Sequence, residues 1–298
     1  MRNMDTFAVI GGDLRSSYLA GLLAADGYKV IASGFDSTDL PPCVTGCTNP
    51  SQAVTLADCV ILPLPVTTDG SNINAPFSRM RITVDQVLNA LQEGQVLVGG
   101  SVSDQVRREV ESRGLAIHDY LQREELAIAN AVPTAEGAIQ LAMEELPITI
   151  SGARCLITGY GRISKVLSRL LVTLGAKVTV AARKFSDLAG AETQGCRAIE
   201  IDQLSKAGAW NSTGKIGDID VVFNTVPSLL FSREVLQSLD KNTLLIDLAS
   251  KPGGVDFNAA AELQIKTIWA LSLPGRVAPK TAGAIIKTTI LNMLKEGI

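Results

Sequence analysis

The chain has 298 residues, enough for two hydrophobic cores, and carries a formal net charge of −3 with 46% apolar and 19% charged residues. That balance excludes a disordered chain and offers no general attraction to nucleic acid or to an anionic membrane. No apolar run approaches the roughly 20 residues of a membrane span, and the opening "MRNMDTFAVIGGD" reads as a short strand ending at a glycine pair, not as a signal peptide.

The first half alternates short apolar runs with helical periods. "TFAVI" (6–10), "KVIAS" (29–33), "CVILP" (59–63), "QVLVG" (95–99) and "LAIH" (115–118) read as strands. "LRSSYLAGLLAADG", "RITVDQVLNALQEG" and "SDQVRREVESRG" read as helices that close on a glycine. Next comes "PTAEGAIQLAMEEL" (133–146), expected as a connecting helix with Pro133 near its first turn and Thr134 as its cap. From Ser151 a second series follows: "RCLITG", "KVTVAAR", "GCRAIEI", "IDVVFNTV", "TLLIDLA" and "IKTIWAL" are strands. "LSKAGAWNSTGKIGD" (204–218) reads as a polar surface loop, and an amphipathic helix ends the chain. The expected fold is α/β: two Rossmann-like domains with parallel sheets and a cleft between them, the C-terminal helix returning to the first domain. The boundaries expected are 1–133 for a substrate-side domain, 134–150 for the connecting helix, 151–275 for a nucleotide-binding domain and 276–298 for the last helix.

The five cysteines, Cys43, Cys47, Cys59, Cys155 and Cys196, are odd in number and scattered, which suits reduced thiols of a cytoplasmic protein. Cys43 and Cys47 lack a second Cys/His pair, so no metal site is expected. The lone histidine, His118, stands beside Asp119.

"LITGYGRISKVLSRLL" carries most of the chemical information. Gly159 permits a tight turn after a strand, and Gly161 lets the backbone approach a pyrophosphate. Arg162 and Ile163 then open a helix whose free amides receive negative charge. Ser164 stands where the fingerprint G-x-G-x-x-G has its third glycine, a position that governs helix–strand packing rather than phosphate contact. The acidic residue that would hold the ribose of NAD is also missing; Arg183 and Lys184 end the second strand instead. A guanidinium pairs with a phosphate through two parallel hydrogen bonds, so the expected cofactor is NADP. Thr225, Val226 and Pro227 end the fourth strand, along the path of ribose and nicotinamide. The first domain's "VIGGDLRSS" lacks the spacing, and Asp13 would put a carboxylate where phosphate should lie.

A nicotinamide implies hydride transfer. The last strands carry no histidine for a simple alcohol oxidation, whereas a reaction that aromatises a ring needs chiefly positioning. "FAVIGGD", "CVILPLPVTTDG", "NAVPTAEGAIQLAM", "GYGRISKVLSRLLVTLGAKVTVAAR", "NTVPSLL", "LIDLASKPGGVDF" and "LPGRVAPKTAG" together resemble the A subunit of bacterial dipicolinate synthase, from about Thr6 to about Leu294. The resemblance implies NADP-dependent oxidation of dihydrodipicolinate to dipicolinate in the cytoplasm of the mother cell of a sporulating bacterium, together with a flavoprotein-like B subunit. Ser164 departs from the family's glycine, and the 204–218 loop is longer than the family norm. Within that reading Thr67, Thr68, Ser101, Thr134 and Arg276 are expected to bind substrate carboxylates through hydroxyls, backbone amides or the guanidinium. Lys280 reaches a carboxylate from the opposite wall, and Glu136, if partly desolvated, accepts the ring proton. A homo-oligomer is expected, with neither nucleic acid nor membrane as partner. Two alternatives stay open: another two-domain dehydrogenase acting on a small carboxylate or amino acid through His118, and a non-catalytic NADP-binding subunit.

Overall fold

A computed structural model describes residues 4–205 and 218–298; most of the loop expected over 204–218 lies outside the described residues. The chain divides into two units, one made of residues up to Asn130 together with Pro274–Ile298, the other of Ala131–Leu273. The first unit runs through β1 (Thr6–Ile10), α1 (Leu14–Ala25), β2 (Lys29–Ser33), β3 (Thr45–Gly46), α2 (Pro50–Thr55), β4 (Cys59–Ile61), α3 (Val84–Ala90), β5 (Val96–Gly99), α4 (Asp104–Ser112) and β6 (His118–Asp119). Its six strands are parallel, in the order β3-β2-β1-β4-β5-β6.

After α5 (Glu124–Glu145) the second unit adds β7 (Arg154–Thr158), α6 (Arg162–Thr173), β8 (Lys177–Ala182), α7 (Phe185–Thr193), β9 (Arg197–Glu200), β10 (Val221–Asn224), α8 (Arg233–Leu236), β11 (Leu244–Asp247), α9 (Phe257–Glu262) and β12 (Thr267–Trp269). Its six parallel strands are ordered β12-β11-β10-β7-β8-β9. Counted from its own first strand, each sheet has the doubly wound order 3-2-1-4-5-6, and the direction of strand succession reverses beside β1 and beside β7. α10 (Leu273–Val277) and α11 (Pro279–Glu296) close the chain. Among the described residues no helix is long and apolar enough to cross a membrane.

The near-continuous apolar strands are explained by burial on both faces. In β1, Phe7 and Val9 enter one core with Leu19, Leu23 and Tyr120, while Ala8 and Ile10 enter another with Val60, Leu62 and Val106. Two elements add to the sequence expectation. β3 is a two-residue strand with no apolar run to announce it. α2 begins at an Asn-Pro pair, where Asn49 caps the Ser51 amide at 3.0 Å and Pro50 takes the first helical position.

The connecting helix requires a correction. It starts at Glu124, not at Pro133, and Pro133 lies inside it. Glu124 and Glu125 favour a helix N-terminus, and the run that follows them is rich in helix formers. Pro133 removes the N–H that would have bonded the Ala129 carbonyl, one bond out of a long ladder. Thr134 is therefore not a cap.

α11 belongs to the first unit. Ile286, Ile290 and Met293 complete the core formed by Leu19, Ala20 and Leu23 of α1. The helices approach at Gly283, where a Cβ would lie 2.6 Å from the Arg15 carbonyl oxygen and 3.1 Å from the Leu19 nitrogen. These are backbone atoms that cannot step aside. Gly283→Val is thus expected to cost about 1–3 kcal/mol or more by overpacking, read as a lower midpoint in denaturant unfolding; an unshifted midpoint would mean that the helix pair tolerates a wider separation.

Candidate functional site

β7 delivers the chain to the switch point of the second sheet. Gly159 has φ +84°, and a Cβ there would stand 2.8 Å from Thr225 Oγ1 and 3.0 Å from Val226. Glycine is required twice, by backbone conformation and by the crossing of the β10 terminus. Gly161 differs. It is the N-cap of α6, no side chain caps the helix, and a Cβ built on it meets nothing within 4 Å. The backbone that leads into Arg162 and Ile163 therefore opens onto space, at the positive end of a 12-residue helix. This is a cradle for an anion, and a pyrophosphate fits its chemistry.

Ser164 is fully buried, with its Oγ 2.8 Å from Thr225 Oγ1. The Thr225 hydroxyl gives its one proton to the Thr158 carbonyl at 2.7 Å, so Ser164 donates to Thr225. The departure from the glycine fingerprint fits without strain and ties α6 to the ends of β7 and β10. Thr225, expected beside the cofactor, has its hydroxyl committed to that tie.

Behind the turn lies a fully buried carboxylate. Asp247, at the end of β11, accepts from Asn224 Nδ2 at 2.7 Å and from the amides of Ala249 at 3.0 Å and Gly254 at 2.8 Å. Asn224 Oδ1 in turn accepts from Thr158 Oγ1 at 2.6 Å and the Val226 amide at 3.2 Å. Three strand ends and the loops after β10 and β11 are thereby fixed in one network. The sequence puts "NTVP" and "DLASKPGG" at strand ends on the expected path of ribose and nicotinamide, but does not foretell the bond between Asn224 and Asp247; two polar residues ending adjacent apolar strands were the available signal.

Arg183 and Lys184 follow β8 directly and are exposed. Among the described residues neither pairs with a carboxylate, and the residue next in chain to carry one is Asp187, in the first turn of α7. Tyr160, nearly buried, packs its ring against Gly190 of α7, where a Cβ would lie 3.0 Å from Cε1. Lys165 Nζ stands 5.6 Å from the ring centroid. Burial raises the phenol's pKa, so Tyr160 acts as a neutral wall beside the turn.

The glycine turn of the first unit is closed. Gly11 N–H donates to the Ser33 carbonyl and Gly12 N–H to the Asn74 carbonyl, each at 2.8 Å. Asp13 caps α1 through the Arg15 amide at 3.0 Å and pairs with the Arg15 guanidinium at 2.8 Å. That nearly buried guanidinium also donates to the Leu64 carbonyl at 2.6 Å, holding the loop after β4.

The residues expected at the substrate are distributed between the units. Thr67 and Ser101 lie on neighbouring loops, joined by the Val66 N–H bond to the Gly100 carbonyl at 2.9 Å. The Thr67 hydroxyl is spent within its turn, donating to Asp69 and accepting from the Gly70 amide at 2.8 Å. The Ser101 amide donates to Asp119 Oδ1 at 3.0 Å, which leaves only its hydroxyl for a ligand. Thr68, Arg276 and Lys280 are at least partly exposed. Thr134 and Glu136 sit on α5 within the second unit. Glu136 is exposed, so the partial desolvation on which its role as a base was to rest is absent. His118 is half-buried on β6, and burial, with a smaller contribution from Arg107, holds its imidazole below the ordinary range.

Two doubly wound parallel sheets, one with an open glycine turn at its switch point, define a two-domain protein of dehydrogenase-like fold. The transhydrogenase of Sinorhizobium meliloti shares that fold with a TM-score of 0.70 at 14% identity, over 97% of this chain and 93% of that one. The chain belongs to the family of dipicolinate synthase A subunits. Residues 6–121 match the family described as the N-terminal domain of the dipicolinate synthase A subunit. The chain is 32% identical over 296 residues to the dipicolinate synthase A subunit of Bacillus subtilis (strain 168), covering 97% of this chain and 95% of the relative. The crystal structure of the dipicolinate synthase A subunit from Bacillus halodurans matches with a TM-score of 0.87 at 30% identity, over 97% of both chains.

The hydroxyl bridge gives a direct test. Ser164→Ala should cost about 1 kcal/mol, Thr225→Val more because it also removes the bond to the Thr158 carbonyl, and the double variant about as much as Thr225→Val alone. Strictly additive losses in a thermodynamic cycle would show that the two hydroxyls act separately.

Proposed function

We propose that this protein is an NADP-dependent oxidoreductase that converts dihydrodipicolinate to dipicolinate. The observation that carries the reading is the open, uncapped turn at Gly161, with two exposed cations and no acid at the end of the adjacent strand β8. The backbone at Gly161, Arg162 and Ile163 would hold the pyrophosphate, and Arg183 with Lys184 would hold the 2′-phosphate. Val226 and Pro227 would flank the nicotinamide side, positioned by Thr225. The bound nicotinamide supplies a hydride acceptor.

Loss of one hydride and one proton leaves an aromatic pyridine ring, so the protein's part is chiefly to position the ring and anchor its carboxylates. Thr68, Arg276 and Lys280 are the proposed anchors with solvent-accessible side chains, joined by the Ser101 hydroxyl. Thr67 contributes through its turn, and Thr134 with Glu136 through α5. Glu136 is the proposed proton acceptor, as an exposed carboxylate rather than a desolvated one. Membership of this family supports a partner of the B type, which the resemblance describes as flavoprotein-like, and a place in spore formation in the mother-cell cytoplasm. A homo-oligomer is part of the same proposal.

Arg183→Asp tests the cofactor assignment. Losing a charge-assisted pair and gaining a repulsive carboxylate is expected to weaken NADP binding roughly 100-fold, about 2.7 kcal/mol, while NAD binding is spared or improved. Titration of both nucleotides into the wild type and the variant reads the ratio, and an unchanged NADP/NAD preference would refute the assignment. Pyridine-dicarboxylate absorbance that fails to rise with NADPH, when the B-type partner and dihydrodipicolinate are supplied, would refute the reaction.

A further inference from the structure

The carboxyl-end rim of the first sheet holds a cavity of about 450 Å³ that none of the residues assigned above lines. It opens beside the end of β2 and is closed by the segment from Ser78 to Ile82 and by Gln86 of α3. The wall is built rather than incidental. Ser37 N–H donates to the Phe77 carbonyl at 2.9 Å, and the Arg79 amide donates to Asp36 Oδ2 at 3.0 Å. Gly34, at φ +87°, lets Ile82 come so close that a Cβ would stand 2.8 Å from Ile82 Cδ1.

Ser33 lines this cavity at 2% exposure, and among the described residues its buried hydroxyl has no hydrogen-bond partner. Buried hydroxyls are satisfied as a rule, so a lone one in the wall of a cavity calls for a partner atom, from water or from a ligand. Arg79 and Arg81 line the same cavity, and among the described residues neither is paired with a carboxylate. The cavity's one acid, Asp36, already accepts from the Arg79 amide and from Ser78 Oγ at 3.4 Å, so the cations remain in excess.

We propose that this cavity binds a small metabolite through an anionic oxygen group, carboxylate or phosphate, gripped by Arg79 and Arg81 and hydrogen-bonded by Ser33. A dinucleotide is excluded, because the neighbouring turn has its Gly12 amide engaged by the Asn74 carbonyl and its helix capped by Asp13. The volume suits a ligand well below dinucleotide size. The site stands independently of the reaction proposed above.

Met80 and Ile82 line the cavity and carry methyl groups that report on it. The full chain, with these methyls isotopically labelled, is titrated separately with inorganic phosphate and with pyridine-2,6-dicarboxylate. Saturable shifts at both methyls are expected with at least one probe, and the probe that saturates first identifies phosphate or carboxylate as the group recognised. Affinity should fall roughly tenfold or more in Arg79→Ala/Arg81→Ala and severalfold in Ser33→Ala. The two arginines are exposed and their loss leaves the core intact, so the double variant keeps the test decisive even if Ser33→Ala perturbs folding. Absence of shifts with both probes at millimolar concentration would overturn the proposal. So would affinity retained without the arginines, or affinity unchanged in a folded Ser33→Ala protein, which would mark adventitious surface association.

Discussion

A carboxyl group with no solvent contact organises the switch point of the second unit. Burying a carboxyl group is costly unless hydrogen-bond donors compensate it. Asp247 meets that condition with one side-chain amide and two backbone amides. Its demands explain a sequence feature that is otherwise opaque, the glycine pair of "SKPGG". A Cβ on Gly253 would stand 2.9 Å from Asp247 Oδ2, and one on Gly254 would stand 2.3 Å from Asn224 Nδ2. The loop after β11 can curl over the carboxylate only because those two positions carry no side chain. Through Asn224 the same constraint reaches Thr158 and the Val226 amide, so the glycine turn is held from behind by a rigid polar frame.

The two units show how local chemistry decides what a shared topology does. Both sheets have the same strand order, and both place glycines after the first strand. In the first unit the turn amides are satisfied internally, the helix is capped by Asp13, and Arg15 neutralises the cap. In the second unit the cap position is Gly161, which offers no side chain and leaves the helix start uncapped. The first helix start is spent on internal bonds, and the second carries no side-chain cap.

Much of this was legible in the residues. Apolar runs bounded by glycine marked the main strands because parallel strands are buried on both faces and read as continuous. The turn at Gly159–Gly161 was legible because a positive φ and a close strand end demand glycine at its start, and the cations at Arg183 and Lys184 because charge is carried by residue type. What escaped depended on partners distant in the fold. Nothing in the residue types of Thr67 or Ser101 reveals that Asp69 and Asp119 occupy their polar groups. Nothing near Ser164 reveals that Thr225 is waiting for its hydroxyl. The start of α5 was misplaced because Pro133 and Thr134 carry a strong local start signal, while continuity with the turns before them outweighed it. The Ser33–Arg81 cavity is assembled from segments that no spacing rule connects.

The docking of α11 onto α1 makes the first unit discontinuous in sequence, and that has a bearing on biosynthesis. As the chain leaves the ribosome, residues 131–273 emerge as an unbroken segment and can fold as soon as they are out. The apolar stripe of Leu19, Ala20 and Leu23 must wait for Ile286, Ile290 and Met293, which are translated near the end. The first unit thus begins before the second and is completed after it, and its α1 face stays uncovered until α11 is made. Loss of the final turns would leave the core of the second unit intact and that of the first unsealed.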